Sequence, residues 1–289
     1  VASAQTSRYH GGMPDNDPSL DLLELSELDP FLLELNAAAA EAILPLFRAD
    51  HGLIDKGGAK GFDPVTEADK GAERAIRKLI ETRYPHHGVI GEEYGEDRPD
   101  AEFVWVLDPV DGTRAFIAGL PLWTTLIGLR RHGRPVLGSI GQPFLDEIYI
   151  GSADGSRLVW LGEERPIQAR VCPRLSDAII ATTDPETCFD GAEAAAWSQV
   201  RAAARLARLG CDAYAYAMVA AGTMDMVIEA GLKAWDIDAA IPVIEGAGGV
   251  VTDWRGAPVG PNGGQVVIAG DRACLDDALV ALKRSAKDA

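Results

Sequence analysis

The segment from Gly91 to Thr113 constrains this chain more than any other. It reads Gly91-Glu92-Glu93, then an unbroken apolar run Phe103-Val104-Trp105-Val106-Leu107, then Asp108-Pro109-Val110-Asp111-Gly112-Thr113. The apolar run is a strand, and Pro109 and Gly112 are expected to end it in a turn. Two carboxylates three residues apart, with a backbone carbonyl between them, then converge on one small volume. A hard divalent cation such as Mg²⁺ takes oxygen ligands of this kind and leaves room in its shell for water and a substrate phosphate. The chemistry expected is metal-assisted phosphoryl transfer or hydrolysis. The competing account is an ordinary surface turn, because Asp-Pro and Asp-Gly are common turn formers. Further acids favour the site reading. Asp63-Pro64-Val65-Thr66-Glu67-Ala68-Asp69 opens an amphipathic run, Glu92 follows Gly88-Val89-Ile90, and Trp235-Asp236 opens another helical run, so each acid stands at the end of an element.

Around these segments the pattern alternates between helix and strand. Helical spacing of apolar residues predicts helices over 32–47 and 67–84, and short alternating runs predict an antiparallel meander over 122–129, 135–140 and 147–150, with further strands in 156–168. Beyond them, strands are expected at 179–182, 226–229, 250–253 and 265–269, and helices at 192–206, 213–221, 234–245 and 271–287. This order predicts a layered α/β fold with one lobe over 29–175, carrying most of the acids, and a second over 176–289, carrying Asp236. Residues 1–28 are expected to form a disordered tail outside both lobes, with Met13 a candidate start.

The acidic segments, in this order and spacing, resemble the inositol monophosphatase-like family of Mg²⁺-dependent, Li⁺-sensitive phosphatases over roughly residues 30–285. The resemblance implies an α-β-α-β-α sandwich with the site between the lobes. It implies that Glu92, Asp108, Asp111, Asp236 and the Val110 carbonyl ligate Mg²⁺, or Mn²⁺ in its place, that Li⁺ inhibits, and that the protein is a homodimer. It also implies that Asp69 and Thr113, together with the metal held at Glu92, activate the attacking water. Gly112 and Thr113 open a short helical turn expected to receive the phosphate, with Gly112 keeping the approach clear.

Departures within the family bear on the substrate. The inositol branch commonly continues Asp-Gly-Thr with a second threonine and Asn-Phe, where this chain has Arg114-Ala115-Phe116. Gly210-Cys211-Asp212-Ala213-Tyr214 and Glu229-Ala230-Gly231 through Trp235-Asp236 are similar to the histidinol-phosphate phosphatase branch, although that branch often has tyrosine where Trp235 stands. Histidinol carries an ammonium and an imidazole, so its pocket calls for carboxylates. Asp212 and Glu229 are the candidates. Their structural alternatives are a helix cap at Asp212 and a Glu229–Lys233 pair. Arg114 either reaches the substrate or pairs with a nearby acid.

Composition narrows the partners. A formal charge of −17, with no long Lys/Arg cluster, argues against nucleic acid and anionic membranes, leaving a small phosphate ester as the expected partner. Cys172, Cys188, Cys211 and Cys274 are widely spaced and lack zinc-site spacing, so they are expected to be reduced in a cytoplasmic protein. No apolar run reaches membrane-spanning length. His10, His51, His86, His87 and His132 fall in no nucleophile arrangement, and His86-His87 is expected in an exposed loop.

Overall fold

The computed structural model describes residues 18–50, 52–55 and 64–287. The expectations placed on Met13, His10, His51 and Asp63 fall outside these residues.

Five layers stack. Helices Pro18–Ile43 and Glu67–Arg83 cover one face of an eight-stranded sheet, burying Phe31, Leu32, Leu35, Ile76 and Ile80 against Trp105, Leu107, Ile127 and Leu129. Across that sheet the strand order is Glu163–Ile167, Gly155–Trp160, Glu147–Ser152, Arg134–Gln142, Thr124–Arg131, Phe103–Asp111, Gly88–Gly91, Gly95–Asp97. On its other face lie helices Tyr214–Ala220, Ala234–Ile237 and Ala240–Gly246, which in turn meet a five-stranded sheet. The second sheet is ordered Leu206–Leu209, Ile179–Thr182, Met226–Leu232, Gly264–Ala269, Val250–Thr252, and helices Gly191–Ala203 and Arg272–Leu282 close its outer face. This is the α-β-α-β-α sandwich expected from the resemblance.

A row of small residues seats the middle layer. Gly128, Gly138 and Gly151 are register partners on three adjacent strands, with Ser156 next in line. A methyl on Gly138 would lie 2.2 Å from the Ala239 carbonyl oxygen, and one on Gly151 would lie 2.3 Å from the Cα of Val243. Ser156 completes the row by donating to the Val243 carbonyl at 2.8 Å. Backbone therefore lies directly on sheet along 238–243, which brings the element carrying Asp236 to the first sheet.

Several local expectations need correction. The first helix starts at Pro18, inside the stretch expected as a tail. Leu28 is buried, and Asp29 accepts two bonds from Arg157 of strand Gly155–Trp160, at 3.1 and 2.6 Å. The strand expected to end at Leu107 continues through Asp111. The helix over 192–206 stops at Ala203, and Leu206–Leu209 instead pairs in parallel with Ile179–Thr182 as a half-exposed edge strand. The run over 234–245 is two short helices, because Pro242 has no N–H to offer the Asp238 carbonyl one turn back. His87 is not an exposed loop residue. It stacks on Tyr84 and accepts the Trp105 indole N–H at 3.1 Å. Cys172, Cys211 and Cys274 are buried and Cys188 is exposed, all four as free thiols. Among the described residues no helix is long and apolar enough to cross a membrane.

Candidate active site

The first acids are set by sheet register. Strands Gly88–Gly91 and Phe103–Asp111 run in parallel with Gly91 opposite Leu107, so Glu92 and Asp108 emerge side by side, and the Glu92 N–H donates to the Leu107 carbonyl at 3.2 Å. Residues three apart on a regular strand face opposite ways. Here Asp108 pairs with Leu126 and Asp111 with Thr124, so one strand has an extra residue at Pro109–Val110. That bulge turns both carboxylates to one side. Pro109 is tolerated because a bulge needs no ladder N–H there, and its carbonyl accepts the buried Thr125 hydroxyl at 2.8 Å.

Asp236 arrives from the second lobe. Its carboxylate accepts the Lys233 N–H at 2.6 Å, within helix Ala234–Ile237. Two residues on, Asp238 forms a buried ion pair with Arg130 of the first sheet, which also donates to the Pro261 carbonyl at 2.7 Å. Asp108, Asp111 and Asp236 each present an oxygen, and these three atoms lie within 4.8 Å of one another. An octahedral Mg²⁺ shell, with bonds of about 2.1 Å, spans about 4.2 Å between opposite oxygens. The donor set is all oxygen, hard and anionic, so the residues present fit such an ion. Burial first, then Glu92, Asp111, Asp236 and Asp69 in turn, hold Asp108 well above the usual carboxylate range. Burial and then Asp212 do the same to Asp111, while burial pushes Asp236 up to about 6. The three converging acids, their ionisation opposed by burial and by one another, are arranged as a cation would require.

Asp69 lies beside them, 1% exposed, at the start of helix Glu67–Arg83. A capping box occupies its Oδ2, which accepts the Thr66 N–H at 2.8 Å and the Thr66 hydroxyl at 2.5 Å. Oδ1 faces Thr113, whose hydroxyl lies 3.4 Å from it and 3.1 Å from the Val110 carbonyl. One hydroxyl proton serves one of these acceptors at a time. Burial raises the Asp69 pKa against the bonds from Thr66. Gly112, at φ +79°, caps the short helix Thr113–Ile117. A Cβ there would come within 3.1 Å of the Asp212 side chain.

That contact leads to a second group of acids. The Ala213 N–H donates to Asp111 Oδ2 at 2.7 Å and ties the Gly210–Ala213 turn to the first lobe. Asp212, at φ +45°, does not cap helix Tyr214–Ala220, which starts after Ala213 with no side-chain bond. Burial pushes Asp212 up to about 6, against the pull of Arg114. Glu229 is 2% exposed on strand Met226–Leu232, so the helical spacing needed for a Lys233 pair does not arise. It accepts the Thr183 N–H at 2.9 Å and the Thr183 and Thr182 hydroxyls at 3.0 and 3.3 Å, and burial nonetheless pushes it up to about 8. Arg114 is exposed and lies 3.5 Å from Asp184 and 3.4 Å from the Thr187 hydroxyl. Sequence reasoning missed Asp184. The cue was present, since Asp184-Pro185 is separated by one residue from the strand expected at 179–182, much as Asp108-Pro109 follows Leu107. A cavity of about 640 Å³ lined by Ser152, Asp154, Arg157 and 246–248 contains none of these acids.

The sequence model of the inositol monophosphatase family matches residues 24–287. The chain belongs to this family. It is 45% identical over 236 residues to the bifunctional phosphatase IMPL2, chloroplastic, of Arabidopsis thaliana, a match covering 80% of this chain and 66% of that protein. To the histidinol-phosphatase of Chlorobaculum parvum it is 36% identical, covering 67% of this chain and 73% of the relative. The solved structure of an inositol monophosphatase from Zymomonas mobilis superposes with a TM-score of 0.77 at 39% identity, covering 87% of this chain and 96% of that one. The family is one of metal-dependent phosphatases of phosphoric monoesters, typically using Mg²⁺, and the acidic triad Asp108, Asp111 and Asp236 is present here.

Proposed function

We propose that this protein hydrolyses a phosphate monoester whose alcohol part is cationic, with histidinol phosphate as the substrate. The observation that carries the proposal is the trio Asp184, Asp212 and Glu229 beside the triad, with Arg114 beside the first two. A cationic alcohol entering there balances the charge of Asp184, which the Thr187 hydroxyl holds ionised, and favours ionisation of Asp212 and Glu229, which burial raises.

In this reading Asp108, Asp111, Asp236, Glu92 and the Val110 carbonyl hold Mg²⁺ or Mn²⁺, and Li⁺ inhibits by occupying the same acids. The bound ion supplies Lewis acidity toward water and the phosphoryl oxygens. Asp69 and Thr113 orient the attacking water: Thr113 fixes it through its hydroxyl, and Asp69 Oδ1, the oxygen left over from the capping box, takes its proton. Water oxygen bonds to phosphorus as the bond from phosphorus to the ester oxygen breaks, and that oxygen takes a proton from solvent to leave as the alcohol. Gly112 leaves the phosphate approach open, and Arg114 is drawn from Asp184 toward the incoming anion. Asp212 and Glu229 hold the ammonium and imidazole of the leaving alcohol.

A second reading, inositol monophosphatase, is favoured by one feature. Glu229, pushed up to about 8, is largely protonated at neutral pH, and a carboxylic acid donates to and accepts from a polyol hydroxyl. The relatives named above carry both activities between them. Phosphate release is measured from histidinol phosphate, inositol 1-phosphate and p-nitrophenyl phosphate, with Mg²⁺ and with EDTA. The proposal expects metal-dependent turnover led by histidinol phosphate. A lead for inositol phosphate supports the second reading, and full turnover in a metal-free preparation defeats both.

A further inference from the structure

We propose that Glu73 is a positioning residue that fixes Glu92 at the triad, an inference that rests on reading Glu92 as a metal ligand. Glu73 is fully buried on helix Glu67–Arg83, yet its carboxylate faces another element. Oε2 accepts the Glu93 N–H at 2.8 Å, and Oε1 accepts the Tyr94 N–H at 3.2 Å and the Arg77 guanidinium at 2.7 Å. Arg77 reaches past it to the Gly95 carbonyl. The backbone from Gly91 to Gly95 is thus wrapped around one carboxylate, with Glu92 in the wrapped segment and held at its own N–H by Leu107.

Gly91 belongs to the same device. A Cβ at that position would lie 2.1 Å from Glu73 Oε1 and 2.8 Å from the Arg77 guanidinium. Its φ is not in the left-handed region, so glycine is required here by the close approach of the carboxylate rather than by backbone conformation. A helix acid on a buried stripe, satisfied by two N–H groups of the loop that presents a ligand, has the arrangement by which outer partners orient metal-binding side chains. A purely structural role would need only the Arg77 pair. The two loop N–H bonds add nothing to the helix, and they determine where the residue before Glu93 points.

Glu73→Gln puts an amide NH₂ against groups that are themselves donors, so at least one of the three bonds is lost. Mn²⁺ binding to the full chain, followed by electron paramagnetic resonance without substrate, reads the effect directly. Loss of an outer partner typically weakens a metal about 10–100-fold, and Glu73→Gln is expected to raise the Mn²⁺ Kd by about tenfold. In a Glu92→Gln background the same change is expected to cost less than about twofold, because the residue it acts through is already gone. Melting temperature is followed alongside. A variant melting lower with an unchanged Kd, or an equal loss in both backgrounds, overturns the positioning role. If Glu73→Gln does not fold, Gly91→Ala carries the test by displacing the same carboxylate, and a folded Gly91→Ala with wild-type affinity overturns the proposal. Wild-type protein that binds no Mn²⁺, or Glu92→Gln that binds it as tightly as wild type, instead removes the ligand reading beneath it.

Discussion

The proposed metal side and the proposed substrate side of the site are built differently. Glu92, Asp108 and Asp111 come from neighbouring strands of one sheet, where register and a single bulge set their directions. Asp184, Asp212 and Glu229 come from a loop, a turn in left-handed conformation and a strand of the second sheet. Hydroxyls and backbone N–H groups hold two of these: Thr182 and Thr183 for Glu229, and Thr187 for Asp184. Rigid geometry suits the side where the chemistry occurs. Asp184 and Asp212 lie outside any ladder and can change without disturbing one, which is how one scaffold can serve several phosphate esters. Asp236 and the Ala213 N–H join the two sides.

The comparison breaks most visibly at the triad. Asp111→Asn removes charge from the metal site and is expected to lower turnover about a thousandfold on every ester, with weaker metal affinity, since metal electrostatics contributes several kcal/mol to the transition state. Uniform loss across the ester panel is the mark of the metal side. Thr113→Ala should lower kcat by about a hundredfold with little change in KM, because water positioning counts mainly in the transition state. An intact kcat removes Thr113 from the mechanism.

Gly138→Ala tests the joint. Its methyl must push the Ala239 carbonyl away and carry Asp236 with it, and a displacement near 1 Å can cost about a hundredfold in rate. Metal titration and turnover should fall together while the strands stay folded by circular dichroism. A fully active Gly138→Ala means that the glycine row does not set Asp236.

Glu229→Gln works on the other side. Losing one partner of a buried charged contact costs about 2–5 kcal/mol, so kcat/KM for histidinol phosphate should fall at least about tenfold, against little change for p-nitrophenyl phosphate. Asp212→Asn should act in the same direction. Its carboxylate caps no helix, so stability should hold while the cationic ester suffers.

The smallest effect is a pH slope. Glu229 is pushed up to about 8 in the folded protein against 4.5 as an ordinary glutamate, so the native state holds the extra proton between those values. Stability from this group is therefore full below pH 4.5 and declines as pH rises toward 8, by an amount on the order of a few kcal/mol. Glu229→Gln should flatten that part of the denaturation profile. The kcat/KM for a cationic ester should also rise around pH 8, where folded Glu229 ionises, and that for a neutral ester should not.

Legibility in the sequence followed the same division. Asp108 and Asp111 could be read because their spacing, Pro109 and Gly112 lie within one short segment, although the strand continuing through them could not: the bulge depends on Thr124 and Thr125 of a neighbouring strand. Asp69, Glu92 and Asp236 came from the order of segments, with roles supplied by the family resemblance. The alternatives at Asp212 and Glu229 depended on knowing whether each residue lay in a helix or a strand, and short apolar runs do not decide that. Glu73 was hidden because an acid on an amphipathic helix ordinarily faces water. Strand Leu206–Leu209 is not legible in the sequence, where the helix expected over 192–206 takes in only its first residue, because an edge strand, half exposed, lacks an apolar signature. His87 looked like part of a loop because only its tertiary neighbours, Tyr84 and Trp105, cover it.

The central claim is that the metal side performs the hydrolysis and the substrate side selects a cationic alcohol. Its most direct test is kcat/KM for histidinol phosphate and inositol 1-phosphate, in one Mg²⁺ buffer, for the wild type and Glu229→Gln. The account predicts that the wild type prefers histidinol phosphate and that the substitution erodes this preference at least about tenfold by weakening the cationic ester alone. Equal losses on both esters, or a wild-type preference for inositol 1-phosphate, would contradict it.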